Sequence, residues 1–218
     1  MFICSVLDAL IFSKTPLLLK SVYPNCIWKV NNSERKIYLT FDDGPTPVVT
    51  DFVLSELKKW NALATFFCIG KNIEAHGDIF DRIIDDGHSI GNHTYNHLNG
   101  WKHKTQVYVD NIDKCAKAIN ERTALGNSKL FRPPYGKLTP IQYKTVNHSY
   151  TIVMWDVLSF DFDLSQTNED VLDRVIKNSE SGSIIVFHDS IKAQKKIEYT
   201  LPKVLEHFTD KGFMFDKL

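Results

Sequence analysis

The stretch Lys36-Ile-Tyr-Leu-Thr-Phe-Asp-Asp-Gly-Pro45 decides how the rest of the chain is read. Lys36–Phe41 alternates as a strand does, and Asp42-Asp43-Gly44-Pro45 stops it with turn-forming residues. Val48, Phe52, Leu54 and Leu57 then give Pro47–Trp60 a helical face. Ala64–Ile69 (ATFFCI) is a second apolar run, and Lys71–Asp86 reads as one helix closed by Gly87. The alternation continues outward. His88–Gly91 is short and strand-like, Thr105–Arg122 is helical, and Leu130-Phe131 precedes a helix around Thr139–Val146. Tyr150–Trp155 is apolar on both faces, Val171–Asn178 is helical, Ser183–Phe187 is another buried strand, and Ile197–Phe208 is the last helix. Strands without a polar face, alternating with helices, predict a parallel sheet covered by helices. About seven such units predict a single-domain α/β fold, a distorted (β/α) barrel with about seven parallel strands; a doubly wound open sheet is the alternative. The active site is expected at the C-terminal strand ends.

Composition bounds the function. The 218 residues carry 26 basic and 26 acidic side chains, a formal net charge of zero. A neutral chain has no global field to draw in a polyanion, which argues against a nucleic-acid partner and polybasic membrane docking. Cys4, Cys26, Cys68 and Cys115 contain no C-x-x-C spacing, so neither a zinc knuckle nor a disulfide framework is written here. Met1–Leu19 is apolar but interrupted by Asp8, Lys14 and Pro16, too short for a membrane span. It also lacks a basic start and a cleavage site, which makes it a poor signal peptide. It reads as an amphipathic helix packing on the domain, with a membrane-surface anchor as the alternative. The expected division is therefore an extension over 1–35 and a catalytic domain over 36–218.

Residues of catalytic type follow the buried strands one after another. Asp42-Asp43 follow the first, His93 and His97 follow Ile90, and Arg132 follows Phe131. Asp156 and Asp161 follow Trp155, and His188-Asp189 follow Phe187. The pair His93-x-x-x-His97, if helical, puts two imidazoles on one face, where they can grip a divalent ion. Eight histidines give roughly 0.3 such pairs by chance, so the spacing needs a third ligand. Asp42-Asp43 offers it. Neighbouring side chains leaving a strand diverge, so one carboxylate can bind metal while the other takes a proton; the bland reading is a simple turn. In Arg132-Pro133-Pro134-Tyr135, the prolines lack N–H groups, so Tyr135 supplies the first free backbone donor after Arg132, as oxyanion stabilisation requires. The bland reading there is a Pro-rich loop packed by its Tyr ring. His188 ends a hydrophobic strand, where burial and a carboxylate such as Asp161 tune its charge.

In order, T-F-D-D-G-P, H-T-x-x-H, R-P-P-Y, W-D…D and V-x-H-D resemble the polysaccharide deacetylase family, carbohydrate esterase family 4 (the NodB-type domain), from about Lys36 to about Gly212. The resemblance implies a metal-dependent N-deacetylase acting on N-acetylglucosamine units of a peptidoglycan- or chitin-type glycan. It implies Asp43, His93 and His97 as metal ligands, for Zn2+ or sometimes Co2+. Asp42 would be the base, with Arg132 orienting it. Tyr135 would add its N–H to the oxyanion site, and His188 would be the acid, charged by Asp161. Trp155 and Val186 would line the acetyl- and sugar-facing pocket. The fourth motif departs from the family pattern, which usually ends Asp-Trp. Here it reads Asp161-Phe162, with Leu158 at an often polar position; Phe162 keeps the apolar wall without the indole N–H, which bears on substrate preference.

The rival readings are a de-O-acetylase of acetylated xylan, a non-catalytic metal-containing sugar-binding module, and a structural or nucleic-acid partner protein. A pure binder has no use for an acid and a base, which speaks against the second. The expected partner is an acetylated carbohydrate, the expected state a monomer. The weak export signal points to the cytoplasm, with the membrane periphery or cell envelope as alternatives. His88 reads as a packing or capping residue. His76, His103, His148 and His207 have no partner by spacing, and Asp189 is expected to assist locally or cap the next helix. The glycosylation-like triplets at Asn31, Asn92 and Asn147 are given no role, and Phe66-Phe67 is core.

Overall fold

A computed structural model describes residues 13–16, 20–21, 23–31, 34–123 and 128–218. Its centre is β1 (Lys36–Asp42), buried after its first residue. On one side it pairs with β2 (Ala64–Cys68), then β3 (Ser89–Asn92), β4 (Leu130–Phe131) and β5 (Thr151–Ile152). On the other side come β7 (Ile184–His188) and β6 (Val157–Leu158), and all these pairings are parallel. β8 (Met214–Phe215) pairs with the start of β1. Among the described residues, the seven strands β1–β7 curl into a half-barrel with seven helices, a single-domain (β/α) barrel type, and β8 lies off this path. Strand order runs around one circle without reversing, which separates it from the doubly wound alternative.

The helices cover this sheet because their apolar faces have nowhere else to go. α1 (Val49–Lys59) buries Val53, Leu54 and Leu57. α2 (Gly70–Ala75) and α3 (Gly77–Asp85) replace the single helix expected over Lys71–Asp86: His76 leaves helical geometry at φ −135°. α4 (Thr105–Asn120), α5 (Pro140–Val146), α6 (Asn168–Asn178) and α7 (Gln194–Asp210) follow. Thr139 and Thr167 cap α5 and α6 by accepting N–H groups of the first turn. The main core joins Ile37, Leu39 and Phe41 to α1 and α7. Phe66 and Phe67 are buried, as expected.

β5 and β6 do not pair, and the seam between them is bridged by chain preceding β1. Ile27 N–H donates to Ile152 O (2.9 Å), Met154 N–H to Ile27 O (2.8 Å), and Val30 N–H to Gly182 O (2.9 Å). Lys14 forms an antiparallel bridge with Val157, the free edge of β6. The apolar helix expected within Met1–Leu19 falls on residues outside those described, except 13–16, which run against the edge of β6. Cys4 and most of the Asn31 triplet also lie outside them; Cys26, Cys68 and Cys115 are free, buried thiols.

Candidate active site

Because every strand is parallel, every strand delivers its C-terminal residue to the same edge. Asp42 ends β1 directly opposite His188, the end of β7, and Asn92 ends β3 opposite Phe131 in β4. The chain turns sharply after Asp42: Asp43 adopts φ 87°, a conformation that Asp tolerates better than most residues. The two neighbouring carboxylates therefore do not diverge as an extended strand would make them. Asp42 Oδ2 and Asp43 Oδ1 lie 3.9 and 3.8 Å from the same atom, His93 Nε2.

His93 and His97 sit in a loop, not on a helix, which corrects the basis on which their spacing was read. Thr94 and His97 both have positive φ (62° and 55°), and that loop winds His97 back toward His93, with ring centroids 5.0 Å apart. Asn92 holds the loop: its side-chain oxygen accepts from Thr94 N–H, and its amide donates to Ile112 O on α4. Asp43, His93 and His97 each bring one ligand atom within 4.8 Å of the others. His97 Nε2 is 3.3 Å from Asp43 Oδ1. His93 Nδ1 lies 2.8 Å from the Arg132 carbonyl, which makes Nδ1 the donor and turns the Nε2 lone pair inward, the usual way a ligating histidine is oriented. Burial, together with the neighbouring His97, pushes the His93 pKa down to about 3, and burial lowers that of His97. Both imidazoles are thus neutral near pH 7. Asp43 Oδ1 is buried without a hydrogen-bond donor. An anionic oxygen left that way is costly, and two inward lone pairs beside it describe a cation site. The donor set fits a divalent metal.

Arg132 is fully buried and its guanidinium is used on every side. It donates to Val153 O (3.2 Å), Thr40 Oγ1 (2.7 Å), Asp42 Oδ1 (2.7 Å) and Met154 O (2.9 Å), and it stacks on the Phe67 ring. Asp42 is thereby fixed, with one oxygen on Arg132 and the other facing His93. The prolines that follow lead to Tyr135 at φ 61°, ψ 8°. Its ring is exposed and packs on His97, with centroids 4.6 Å apart. Asp161, buried, binds His188 twice, accepting its backbone N–H at 2.7 Å and its Nδ1 at 2.7 Å. Burial opposes the charge on His188, but the charge and hydrogen bond of Asp161, helped by Asp43 and Asp42, raise its pKa to about 9. Phe162 meets the His188 ring edge-on at 4.9 Å.

Asp42, Asp43, His93, His97, Tyr135 and His188 line a cavity of about 570 Å³ together with Trp155, Leu158, Val186 and Phe162, while Arg132 and Asp161 stand behind it. Every residue singled out in the motifs for metal, base, oxyanion or acid work lies on this cavity or holds one that does. Of the two roles expected for Asp189, the structure shows the local one: it caps no following helix. Fully buried, it accepts from Gly44 N–H (2.9 Å) and Thr50 Oγ1 (2.6 Å), tying the β7 end to the turn that carries Asp43. Burial raises its pKa to about 8. A Cβ on Gly44 would stand 1.9 Å from its carboxylate, which explains the glycine. The sequence reading missed Thr40 and Asn92 as supports, and Trp101, Lys137 and Lys192 as lining. Trp101 had a signal, a large aromatic amid polar neighbours; the others had none.

A parallel half-barrel with an Asp-His-His cluster at its C-terminal edge, flanked by a held carboxylate and a held histidine, is the set of groups that metal-assisted hydrolysis would use. Residues 29–153 match the family model described as polysaccharide deacetylase. A peptidoglycan-N-acetylglucosamine deacetylase of Bacillus cereus is 32% identical over 203 residues, 91% of this chain and 94% of that one. A chitooligosaccharide deacetylase of Azorhizobium caulinodans is 33% identical over 74% of this chain and 77% of its own. The crystal structure of the peptidoglycan N-acetylglucosamine deacetylase Bc1960 superposes with a TM-score of 0.86 at 32% identity, over 94% of this chain and 95% of that one. The chain belongs to the polysaccharide deacetylase family.

Proposed function

We propose that the protein hydrolyses N-acetyl groups of N-acetylglucosamine-containing, peptidoglycan- or chitin-type glycans, with Zn2+ held by Asp43, His93 and His97. The observation that carries this reading is the pairing of two supported groups around one cation site: Asp42 held by Arg132, and His188 held by Asp161. The metal, when bound, supplies positive charge that polarises the acetamide carbonyl and makes water more acidic. Asp42 accepts a proton from the water whose oxygen attacks the carbonyl carbon, and Arg132 holds that carboxylate in place. The Tyr135 backbone N–H donates to the oxygen that gains charge. His188 gives its proton to the nitrogen as the C–N bond breaks, leaving acetate and a free amine. An amine leaves only when protonated, so an acid supported as firmly as His188 favours amide over ester cleavage. On that ground we rank the de-O-acetylase reading second.

Acetate release from N-acetylated chito-oligosaccharides tests the reading, using protein stripped of metal and then restored with zinc or cobalt. Activity is expected to return with metal. In Asp42→Asn, kcat is expected to fall about 10²–10⁴-fold with metal content unchanged. A metal-loaded wild-type protein inert toward this substrate, toward peptidoglycan fragments and toward acetylated xylan would overturn the enzyme reading in favour of a sugar-binding module.

A further inference from the structure

The cavity that contains the cation site is also lined by Thr15, Pro16 and Trp28, which belong to no helix or strand. Thr15 is anchored through both its donors: its N–H donates to Asp156 O (2.9 Å) and its hydroxyl to Trp155 O (2.7 Å). Leu158 N–H returns a bond to Ser13 O (3.0 Å). The segment 13–16 is thus laid along Trp155–Leu158, the stretch that supplies the cavity's own apolar residues.

A buried carboxylate holds it there. Asp156 is fully buried; its Oδ1 accepts from Lys20 Nζ at 2.9 Å, and its Oδ2 accepts from Ser183 Oγ at 2.8 Å and faces Lys14 Nζ at 3.6 Å. Lys14 continues to Glu180 Oε1 (2.8 Å) and Asn178 O (2.9 Å). The ammonium groups of Lys14 and Lys20 converge on one buried carboxylate of the sheet edge. Taking the Asp156 carboxylate out of water is costly, so the arrangement adds little net stability; what it supplies is position. Trp28, bridged between β5 and β7, packs in one cluster with Met154 and Trp155. Pro16, Trp28, Met154 and Trp155 together give the cleft a rigid apolar side beside a polar reacting centre, the usual composition of a small-molecule site.

We propose that residues 13–16 form a specificity-determining wall of the cleft, positioned by the Lys14/Lys20–Asp156 clamp, and that Pro16 and Trp28 bear on the apolar face of the bound sugar. This rests on the carbohydrate reading given above. Lys14, Lys20 and Asp156 are positioning residues: they touch no substrate and act through Thr15 and Pro16.

The test compares a Lys14→Ala/Lys20→Ala protein with a Lys14→Arg/Lys20→Arg protein, which keeps both charges, and with Pro16→Asp, which alters the wall and spares the clamp. KM and kcat are measured for acetate release from an N-acetylglucosamine hexamer, alongside bound zinc per chain and hexamer Kd by calorimetry. The alanine pair and Pro16→Asp are each expected to raise KM and Kd about tenfold, with kcat within twofold and zinc unchanged; the arginine pair restores KM. Unchanged KM and Kd in both would overturn the proposal. So would a joint fall of kcat, zinc content and affinity, which is the mark of a merely structural segment. A wild-type protein that binds the hexamer, is weakened by these variants and releases no acetate upholds the wall and overturns the activity instead.

Discussion

His88 and His93 bracket the same strand, β3, and both are buried with strongly lowered pKa values, yet only one belongs to the site. His88 stands at the N-terminal end of the sheet. Its Nδ1 accepts Ala64 N–H at 3.3 Å and its ring packs on Phe66, so its surroundings are a backbone amide and a hydrocarbon wall. His93 stands at the C-terminal end. Its Nδ1 is spoken for by a carbonyl, and its other nitrogen faces a carboxylate and a second imidazole. Burial and a displaced pKa are common to both and therefore do not distinguish a functional histidine. What distinguishes it is a second nitrogen aimed at other ligand atoms. In a parallel sheet, that happens only at the edge where the strands deliver their last residues together.

The largest expected break in this comparison is His93→Ala. If His93 is one of three zinc ligands as proposed, its removal is expected to abolish stoichiometric zinc binding and lower kcat/KM at least a thousandfold, since a bound ion supplies several kcal/mol of charge stabilisation. Zinc per chain and acetate release measure it, and a variant that keeps its zinc would remove His93 from the ligand set.

A smaller effect sharpens the acid side. His188 must carry its proton to donate it, and its pKa is raised to about 9 against burial chiefly by the charge of Asp161. Under the proposed mechanism, activity is expected to fall as pH rises through the His188 pKa. In Asp161→Asn the supporting charge is gone, so the alkaline limb of the pH–rate profile is expected to move down by at least about one unit, with kcat at pH 7 reduced about 10–100-fold. An alkaline limb that stays in place would assign the acid elsewhere.

The smallest effect on activity belongs to His88→Leu, for which zinc content and kcat are expected to match the wild type. Its signature lies in stability. Burial lowers the His88 pKa to about 4, so between about pH 6.5 and pH 4 the unfolded chain takes up a proton that the folded chain refuses. Stability from this group is present above pH 6.5 and is lost as pH falls. Leu removes that part of the acid slope and leaves Ala64 N–H without its acceptor, at a cost of about 1–3 kcal/mol. Urea unfolding at pH 7.5 and pH 5 separates the two contributions. A loss of zinc in this variant would erase the contrast between the two ends of β3.

Much of the site was legible because parallel strands convert sequence position into spatial position: a polar residue directly after a buried run lands on the common edge. Asp42, His93, Arg132 and His188 were found that way. The Lys71–Asp86 helix was read too long because its apolar spacing runs through His76, and spacing does not register one residue leaving helical geometry. The grip of Asp189 on Thr50 and Gly44 crosses 139 and 145 residues of chain, beyond any local pattern.

By itself, the sequence determined the parallel α/β plan, the order of the strands along the chain and the identity of the residues that end them. Those follow from hydrophobic periodicity and turn chemistry, which are local. Only the tertiary structure decided that Asp43 turns back beside Asp42, that a loop brings His97 to His93, that Arg132 spends its fork on four partners, and that Thr15 and Pro16 line the cleft. Each depends on the curl of the sheet and on positive-φ turns, which set distances between residues that no spacing along the chain encodes.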